Sequence, residues 1–172
     1  MTFSFADDFV NQAQEHNPIK IVNAGDEWLD IEPPPTEPIF DGFVDLRQRV
    51  AVIGGSKRRK SFIVATAAIL SAAGRDGIGL KTAKPRITVL VQFEIETAYM
   101  WRRVQKLCRA MNITKEDIGS RLFIVNLRDQ LDNEGFEDAA IKIIFDAMLK
   151  TKAQLLIIDP IYVLNTGEEN ET

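Results

Sequence analysis

Residues 50–74 read VAVIGGSKRRKSFIVATAAILSAAG, and this stretch carries the strongest structural signal in the chain. An apolar run at 50–53 predicts a strand, and the apolar-periodic segment that begins at Ser61 predicts a helix. The octet GGSKRRKS, residues 54–61, lies between them. A loop in this position can bring several backbone N–H groups and the amino end of a helix to bear on one anion. The stretch therefore predicts a phosphate-binding loop.

The octet fits the template G-x-x-x-x-G-K-[ST] at Gly54, Lys60 and Ser61. Arg59 departs from it, because the template has a second Gly there, the residue that lets backbone come close to a phosphate. A solvated basic turn is the alternative interpretation, and the predicted strand and helix on either side weigh against it. We predict that the chain binds a nucleoside triphosphate. The predicted binding residues are Gly54, Gly55, Ser56, Lys57, Arg58, Arg59, Lys60, Ser61 and Phe62.

Composition places the chain among ordinary globular proteins. It has 172 residues, of which 45% are hydrophobic and 27% charged, enough for one domain with a sizeable core. The net charge of −4 argues against a general polyanion-binding surface but allows a local basic patch. The lone Cys108 is interpreted as a packing residue, and no Cys, Asp or Glu is arranged around His16 at metal-ligand spacing, so a solvated role is expected for it. Without a secretory signal or a membrane-length apolar run, we expect a cytoplasmic protein with no membrane partner.

Two regions are expected along the chain. Residues 1–38 form an N-terminal segment, with a short amphipathic helix at 5–14 and a proline-rich lead-in at 30–38. Residues 39–172 form the nucleotide-binding domain. It opens at 39–49 with a small hairpin or edge strand, because Asp41 and Gly42 give a turn signal between short apolar pieces.

The remainder alternates strands and helices. After the run at 50–53, strands are predicted in RITVLVQFEI from Arg86, RLFIVNL from Arg121 and LLIID from Leu155, with amphipathic helices between them. This order is typical of the α/β class, a mostly parallel, doubly wound sheet with helices on both faces. In such sheets ligands bind at the carboxyl ends of the strands.

Two acidic residues fall at strand ends. Asp159 closes the last strand, where a carboxylate can serve Mg²⁺, an ion that takes few protein ligands. Its alternative role is a turn or N-cap residue before Pro160. Glu94 closes the second strand and can orient an attacking water. A solvated strand terminus is the alternative there, and Glu96 is a competing candidate.

Four pieces together resemble the RecA-like P-loop ATPases of the AAA family, and within them the RepA-type replicative helicases and related phage and plasmid ATPases. These pieces are GGSKRRKSF, VQFEI with MWRRV, FIVNLR, and IIDPIYVLNTGEEN, and the resemblance covers residues 39–170. A non-Gly residue in place of the second Gly, as at Arg59, is a familiar variant in that family.

The resemblance implies a P-loop NTPase of RecA-like fold with ATP and Mg²⁺ as cofactors. Lys60 would bind the β- and γ-phosphates, Ser61 would coordinate Mg²⁺, Asp159 would hold the water shell of the metal, and Glu94 would activate the hydrolytic water. Lys60 and Glu94 are thus the expected catalytic residues, and Ser61 and Asp159 the metal residues. Lys57 would add a further phosphate contact, a role that rests only on its position in the loop.

The resemblance also implies a homo-oligomeric ring, with an arginine finger from a neighbour, and single-stranded DNA bound through parts outside this chain. RecA-like folds insert a later strand between the Asp-bearing strand and the P-loop strand. We therefore expect the fold to be incomplete at its carboxyl end, with 167–172 where the missing half begins. A complete domain with a gap at the centre of its sheet is the alternative.

The function expected is ATP hydrolysis by the motor of a DNA replication helicase. A non-catalytic ATP-binding regulatory or assembly protein is the main alternative, and a small-molecule kinase is the weaker one.

Overall fold

The computed structural model describes residues 23–55, 59–128 and 136–164. The chain divides into two compact units, Met1–Pro35 and Thr36–Thr172. In the described part of the first unit, the single-turn helix α1 (Ala24–Glu27) is capped by Asn23, whose side chain accepts a hydrogen bond from the Gly25 N–H. The helix predicted at 5–14 lies outside the described residues.

The second unit begins with a hairpin. β1 (Pro38–Phe40) pairs antiparallel with β2 (Val44–Asp45), which confirms the hairpin predicted at 39–49. The turn between them places Gly42 at a φ of 68°, a conformation that glycine adopts without steric cost. Ile39, Phe40 and Val44 are buried against the end of the following helix.

A three-stranded parallel sheet forms the centre of the second unit. Its strands are β3 (Thr88–Gln92), β4 (Leu122–Asn126) and β5 (Leu155–Asp159), in the order β4-β3-β5. Both neighbours run parallel to β3, and Leu90 lies opposite Ile124 on one side and Ile157 on the other. Every residue of β3 is buried, as expected for the central strand of a sheet covered on both faces.

Helices cover both faces of this sheet. On one face Leu90 packs with Ala65 and Ala68 of α2 (Lys60–Ala73) and Met100 of α3 (Thr97–Ala110). On the other face Val89, Val91 and Phe93 pack with α5 (Phe136–Thr151). Between them, α4 (Lys115–Ile118) is a single turn with a capping box at Thr114, and a 3₁₀ helix, Ile161–Leu164, follows β5. The predicted α/β architecture is confirmed.

The prediction of a strand at 50–53 is wrong. These residues form no strand in the part of the chain that the structure describes, and Val50, Val52 and Ile53 are 49%, 45% and 91% exposed. β3 has β4 and β5 as its neighbours, and residues 50–53 pair with the outer edge of neither strand. Because a strand exists only where a neighbour supplies backbone hydrogen bonds, an apolar run without such a neighbour stays irregular.

A buried charge joins the hairpin to the sheet. Arg86, just before β3, has a side chain that is 0% exposed, and it donates to Glu37 Oε1 at 2.7 Å and to the Pro38 carbonyl at 3.0 Å. Lys84 lies 2.7 Å from the same Glu37 oxygen. The hydrogen bonds from Lys84 and Arg86 lower the pKa of Glu37. Folding therefore favours the ionised form of this carboxyl.

This lowered pKa predicts acid-sensitive stability. The contribution is complete above the unfolded pKa of Glu37, about 4.3, and is lost as pH falls through the lower folded pKa. The free energy of unfolding of Glu37→Gln should therefore fall below that of the wild type at pH 7 and approach it near pH 3. Urea unfolding across this pH range measures the difference. The control is Asp146→Asn on the exposed side of α5, and a gap for Glu37→Gln that is equally large at both pH values would contradict the prediction.

No helix in the described ranges is long and apolar enough to cross a membrane.

Candidate functional site

The direction of α2 decides where the predicted loop lies. Near its carboxyl end, Ser71 accepts a hydrogen bond of 3.1 Å from Thr88 at the start of β3, and two residues further along β3 Leu90 packs on Ala65 and Ala68. The helix thus runs antiparallel to the strand. From Ser71 back to Ser61 it rises about 15 Å, while β3 extends about 13 Å. The amino end of α2 therefore lies at the carboxyl edge of the sheet.

Lys60, the first residue of α2, folds back over the loop that precedes it. Its Nζ donates to the Gly54 carbonyl at 2.6 Å and to the Gly55 carbonyl at 2.9 Å. Gly54 and Gly55 are exposed, and Lys60 is half-buried. Among the predicted binding residues, Ser56, Lys57 and Arg58 lie outside the described residues.

Arg59 has a left-handed backbone, with a φ of 61° and a ψ of 22°. An L-residue in this conformation costs about 1–2 kcal/mol, which explains why the loop template carries Gly at this position. Its carbonyl accepts hydrogen bonds from the Phe62 and Ile63 N–H groups at 3.0 and 3.2 Å, so it still begins the helix. Arg59 therefore adopts a glycine-like backbone conformation at an energetic cost.

Ser61 and Phe62 occupy the first turn of α2. Ser61 is half-buried, and the Phe62 ring is 42% exposed. The Arg103 guanidinium of α3 lies over that ring, 4.2 Å from its centroid. This contact fixes the start of α2 against α3.

Asp159 ends β5 as predicted, whereas Glu94 does not close β3 but lies two residues beyond its last residue, at the same carboxyl edge. Asp159 pairs in register with Gln92, and its carbonyl accepts a hydrogen bond from the Phe93 N–H at 3.2 Å. The Tyr162 hydroxyl donates to Glu94 Oε1 at 2.9 Å. That hydrogen bond is the main cause of a raised pKa of Tyr162, with further contributions from desolvation and from the charges of Glu94 and Asp159. The phenol therefore remains protonated and able to donate at neutral pH.

Comparison of the sequence with protein-family models identifies a known domain. The model of the AAA domain matches residues 15–172. The chain belongs to the AAA domain family. None of the curated proteins matches it. The AAA domain and the parallel sheet with helices on both faces together show a P-loop NTPase type of fold, and family membership indicates nucleotide binding of the ATPase kind.

Two amides of the AAA domain were not predicted as site residues. Gln92, 2% exposed, hydrogen-bonds through its side chain to both the N–H and the carbonyl of Ile95. Asn126 donates to the Ile95 carbonyl at 2.9 Å and to Thr97 Oγ1 at 3.0 Å. These bonds hold the loop that carries Glu94. The available signal was a polar residue at the end of an apolar strand, the same signal that singled out Asp159.

Glu96, the competing candidate, is engaged elsewhere. Its carboxylate forms an ion pair of 3.0 Å with Arg128, and it is the N-cap residue of α3. Glu94 has no cationic partner among the described residues and is exposed at the sheet edge. The geometry thus favours Glu94 over Glu96 as a group available to a ligand.

The candidate metal ligands of the AAA domain are a few oxygen atoms and not a complete set of protein ligands. In the described ranges, no three His, Cys, Asp or Glu side chains cluster as a metal site. No hydrogen bond or ion pair joins Lys60 or Ser61 to Glu94 or Asp159 within those same ranges. A hydroxyl and a carboxylate at one sheet edge fit Mg²⁺ held mainly by nucleotide phosphates and water. The donor chemistry therefore suits a magnesium nucleotide.

Proposed function

We propose that this AAA domain binds and hydrolyses ATP with Mg²⁺, as the motor of a RepA-type DNA replication helicase. One observation carries the proposal: the amino end of α2, with Lys60 and Ser61, lies at the same sheet edge as Glu94 and Asp159. Parallel α/β sheets bind their ligands at this edge.

Each residue has a proposed role that its surroundings support. The Lys60 ammonium rests on two carbonyl oxygens, which phosphate oxygens can replace with a stronger, charge-assisted bond. Ser61 and Asp159 would hold Mg²⁺, which would neutralise phosphate charge when bound. Glu94 would orient the attacking water. The other predicted loop residues would line the phosphate site.

The remaining parts of the proposal rest on the resemblance. We propose that residues 39–172 belong to the ATP-binding domain and 1–38 to its lead-in, and that the domains assemble as a cytoplasmic ring in which a neighbour supplies an arginine finger. Single-stranded DNA is the proposed partner of that ring.

Lys60→Ala tests nucleotide binding. Loss of a charge-assisted hydrogen bond costs about 1.5–3 kcal/mol, so we expect the Kd for ATP to rise by about 10- to 100-fold. Isothermal titration with ATP and Mg²⁺ measures it. Lys81→Ala, which removes an exposed lysine from a loop outside the site, is the matched control and should bind as the wild type does. If Lys60→Ala binds ATP with wild-type affinity, the proposed site is wrong.

A further inference from the structure

The outer face of α3 carries a stripe of positive charge. Arg102, Lys106 and Arg109 lie four and three residues apart, which places them on one side of the helix, and all three are exposed. Thr97–Ala110 contains no acidic residue. In a chain with a net charge of −4, this helix is a local concentration of the opposite sign.

Two aromatic rings flank this stripe. Tyr99 is 59% exposed and Trp101 is 65% exposed. The Arg102 guanidinium lies over the Tyr99 ring, 5.6 Å from its centroid. Charged groups and flat apolar surfaces are therefore presented together.

Ion pairs do not account for this stripe. Like charges four residues apart repel each other, and among the described residues no carboxylate forms an ion pair with Arg102, Lys106 or Arg109. The opposite side of α3 supplies the packing, through Met100, Val104 and Leu107. Apart from the Arg102–Tyr99 contact and the favourable position of Arg109 in the last helical turn, folding does not explain this exposed face.

We propose that this face of α3, formed by Tyr99, Trp101, Arg102, Lys106 and Arg109, binds single-stranded nucleic acid. From Arg102 to Arg109 the helix rises about 10 Å, close to three phosphate-to-phosphate intervals of a stacked strand at about 3.4 Å each. The three cations bind phosphates, and bases stack on the two rings. Stacking requires bases that are not enclosed in a duplex.

The structure favours this ligand over a membrane surface. An interfacial helix inserts its apolar face into the lipid. Here that face is occupied, because Met100 is 4% exposed and packs on Leu90 of the sheet. An acidic protein surface would match the charges and cover the rings as well, and it becomes the better description if oligothymidylate does not bind.

The surface is connected to the proposed ATP site. α3 begins at Thr97, three residues after Glu94, and Asn126 bonds both Thr97 and the Ile95 carbonyl. A strand held on α3 would therefore act on the loop that carries Glu94. Only this coupling rests on the proposed motor function, because the binding itself requires no nucleotide.

Fluorescence anisotropy of a labelled oligothymidylate, titrated with the whole chain at several salt concentrations, tests the charges. The triple variant Arg102→Gln, Lys106→Gln, Arg109→Gln should bind at least tenfold more weakly. Its salt slope should fall by about 2, since each lost phosphate contact on a single strand removes about 0.7. The control variant Lys142→Gln, Lys150→Gln, Lys152→Gln removes the same charge from exposed positions in and just after α5 and should bind as the wild type does.

The stacking part is tested by Trp101→Ala, which should weaken oligothymidylate binding by about fivefold or more. In a Trp28→Phe background, the fluorescence of Trp101 should be quenched by the oligonucleotide. Equal binding of duplex DNA and heparin, with no effect of Trp101→Ala, would show a basic surface only and overturn the proposal. Binding of phosphatidylserine vesicles without binding of oligothymidylate would overturn it as well.

Failure of this inference is distinguishable from failure of the ATP site. Lys60→Ala should keep oligothymidylate binding while losing ATP, and the triple variant should keep ATP binding. A wild-type chain that binds ATP but no oligothymidylate refutes the surface alone. A chain that binds oligothymidylate but no ATP refutes the nucleotide site alone.

Discussion

Glu94→Gln is expected to reduce the steady-state rate of ATP hydrolysis by about 10²- to 10⁴-fold, the contribution typical of a positioned general base. The amide keeps the size of the carboxylate and can still accept the hydrogen bond that Tyr162 donates at 2.9 Å. It cannot take up a proton from the attacking water. ATP affinity should therefore stay at the wild-type value while phosphate release, followed with and without single-stranded DNA, is lost.

Glu96→Gln is the matched control. Its carboxylate is two residues away but is paired with Arg128 at 3.0 Å, so its loss should leave hydrolysis near the wild-type rate. If Glu96→Gln is as impaired as Glu94→Gln, the assignment of Glu94 fails. If the wild-type chain binds ATP but releases no phosphate under any condition, a non-catalytic regulator becomes the better description.

Parallel strands could be predicted because their residues are almost continuously apolar. β3 and its flanks read RITVLVQFEI, and no position from Thr88 to Gln92 is exposed. For the same reason, the sequence could not predict which side chains face which layer. The structure assigns Leu90 to the α2 and α3 side and Val89 and Val91 to the α5 side.

The incorrect prediction of a strand at 50–53 shows that an apolar run alone does not determine whether a strand forms. Its residues are as apolar as those of Leu155–Asp159, yet only the latter lie beside β3. Strand formation depends on a hydrogen-bonding neighbour, and the identity of the neighbour is a property of the topology rather than of the segment. Composition and period alone could not separate the two.

The candidate residues could be named from their chain positions but not from their side-chain contacts. Asp159 was named as a strand end and is one, Glu94 was named as a strand end but lies two residues after β3, and Lys60 was named from the loop template. The Tyr162 partner of Glu94 is 68 residues away in sequence, so no local spacing could reveal it. Arg59 was recognised as a departure from the template, but only the backbone φ of 61° shows that the position keeps the conformation for which glycine is suited.

Gly74→Ala is expected to lower the free energy of unfolding by about 2–5 kcal/mol, the sum of two separate costs. Gly74 ends α2 with a φ of 66°, a conformation that strains any L-residue, and its N–H bonds the Leu70 and Ser71 carbonyls. A Cβ atom there would also lie 2.5 Å from Pro85 Cγ and 2.9 Å from the Pro85 backbone nitrogen. Backbone at that distance has little room to move, since Arg86 follows directly and its buried side chain is held by Glu37 and the Pro38 carbonyl.

Gly42→Ala separates the two costs. Gly42 has nearly the same φ, 68°, but a Cβ atom there would meet nothing within 4 Å. Its free energy of unfolding, measured in urea, should therefore fall only by the backbone strain of about 1–2 kcal/mol. The larger loss for Gly74→Ala then measures the contact with Pro85. Equal losses for the two variants would mean that Pro85 or the end of α2 moves aside at no cost, and the predicted contribution of this contact would be wrong.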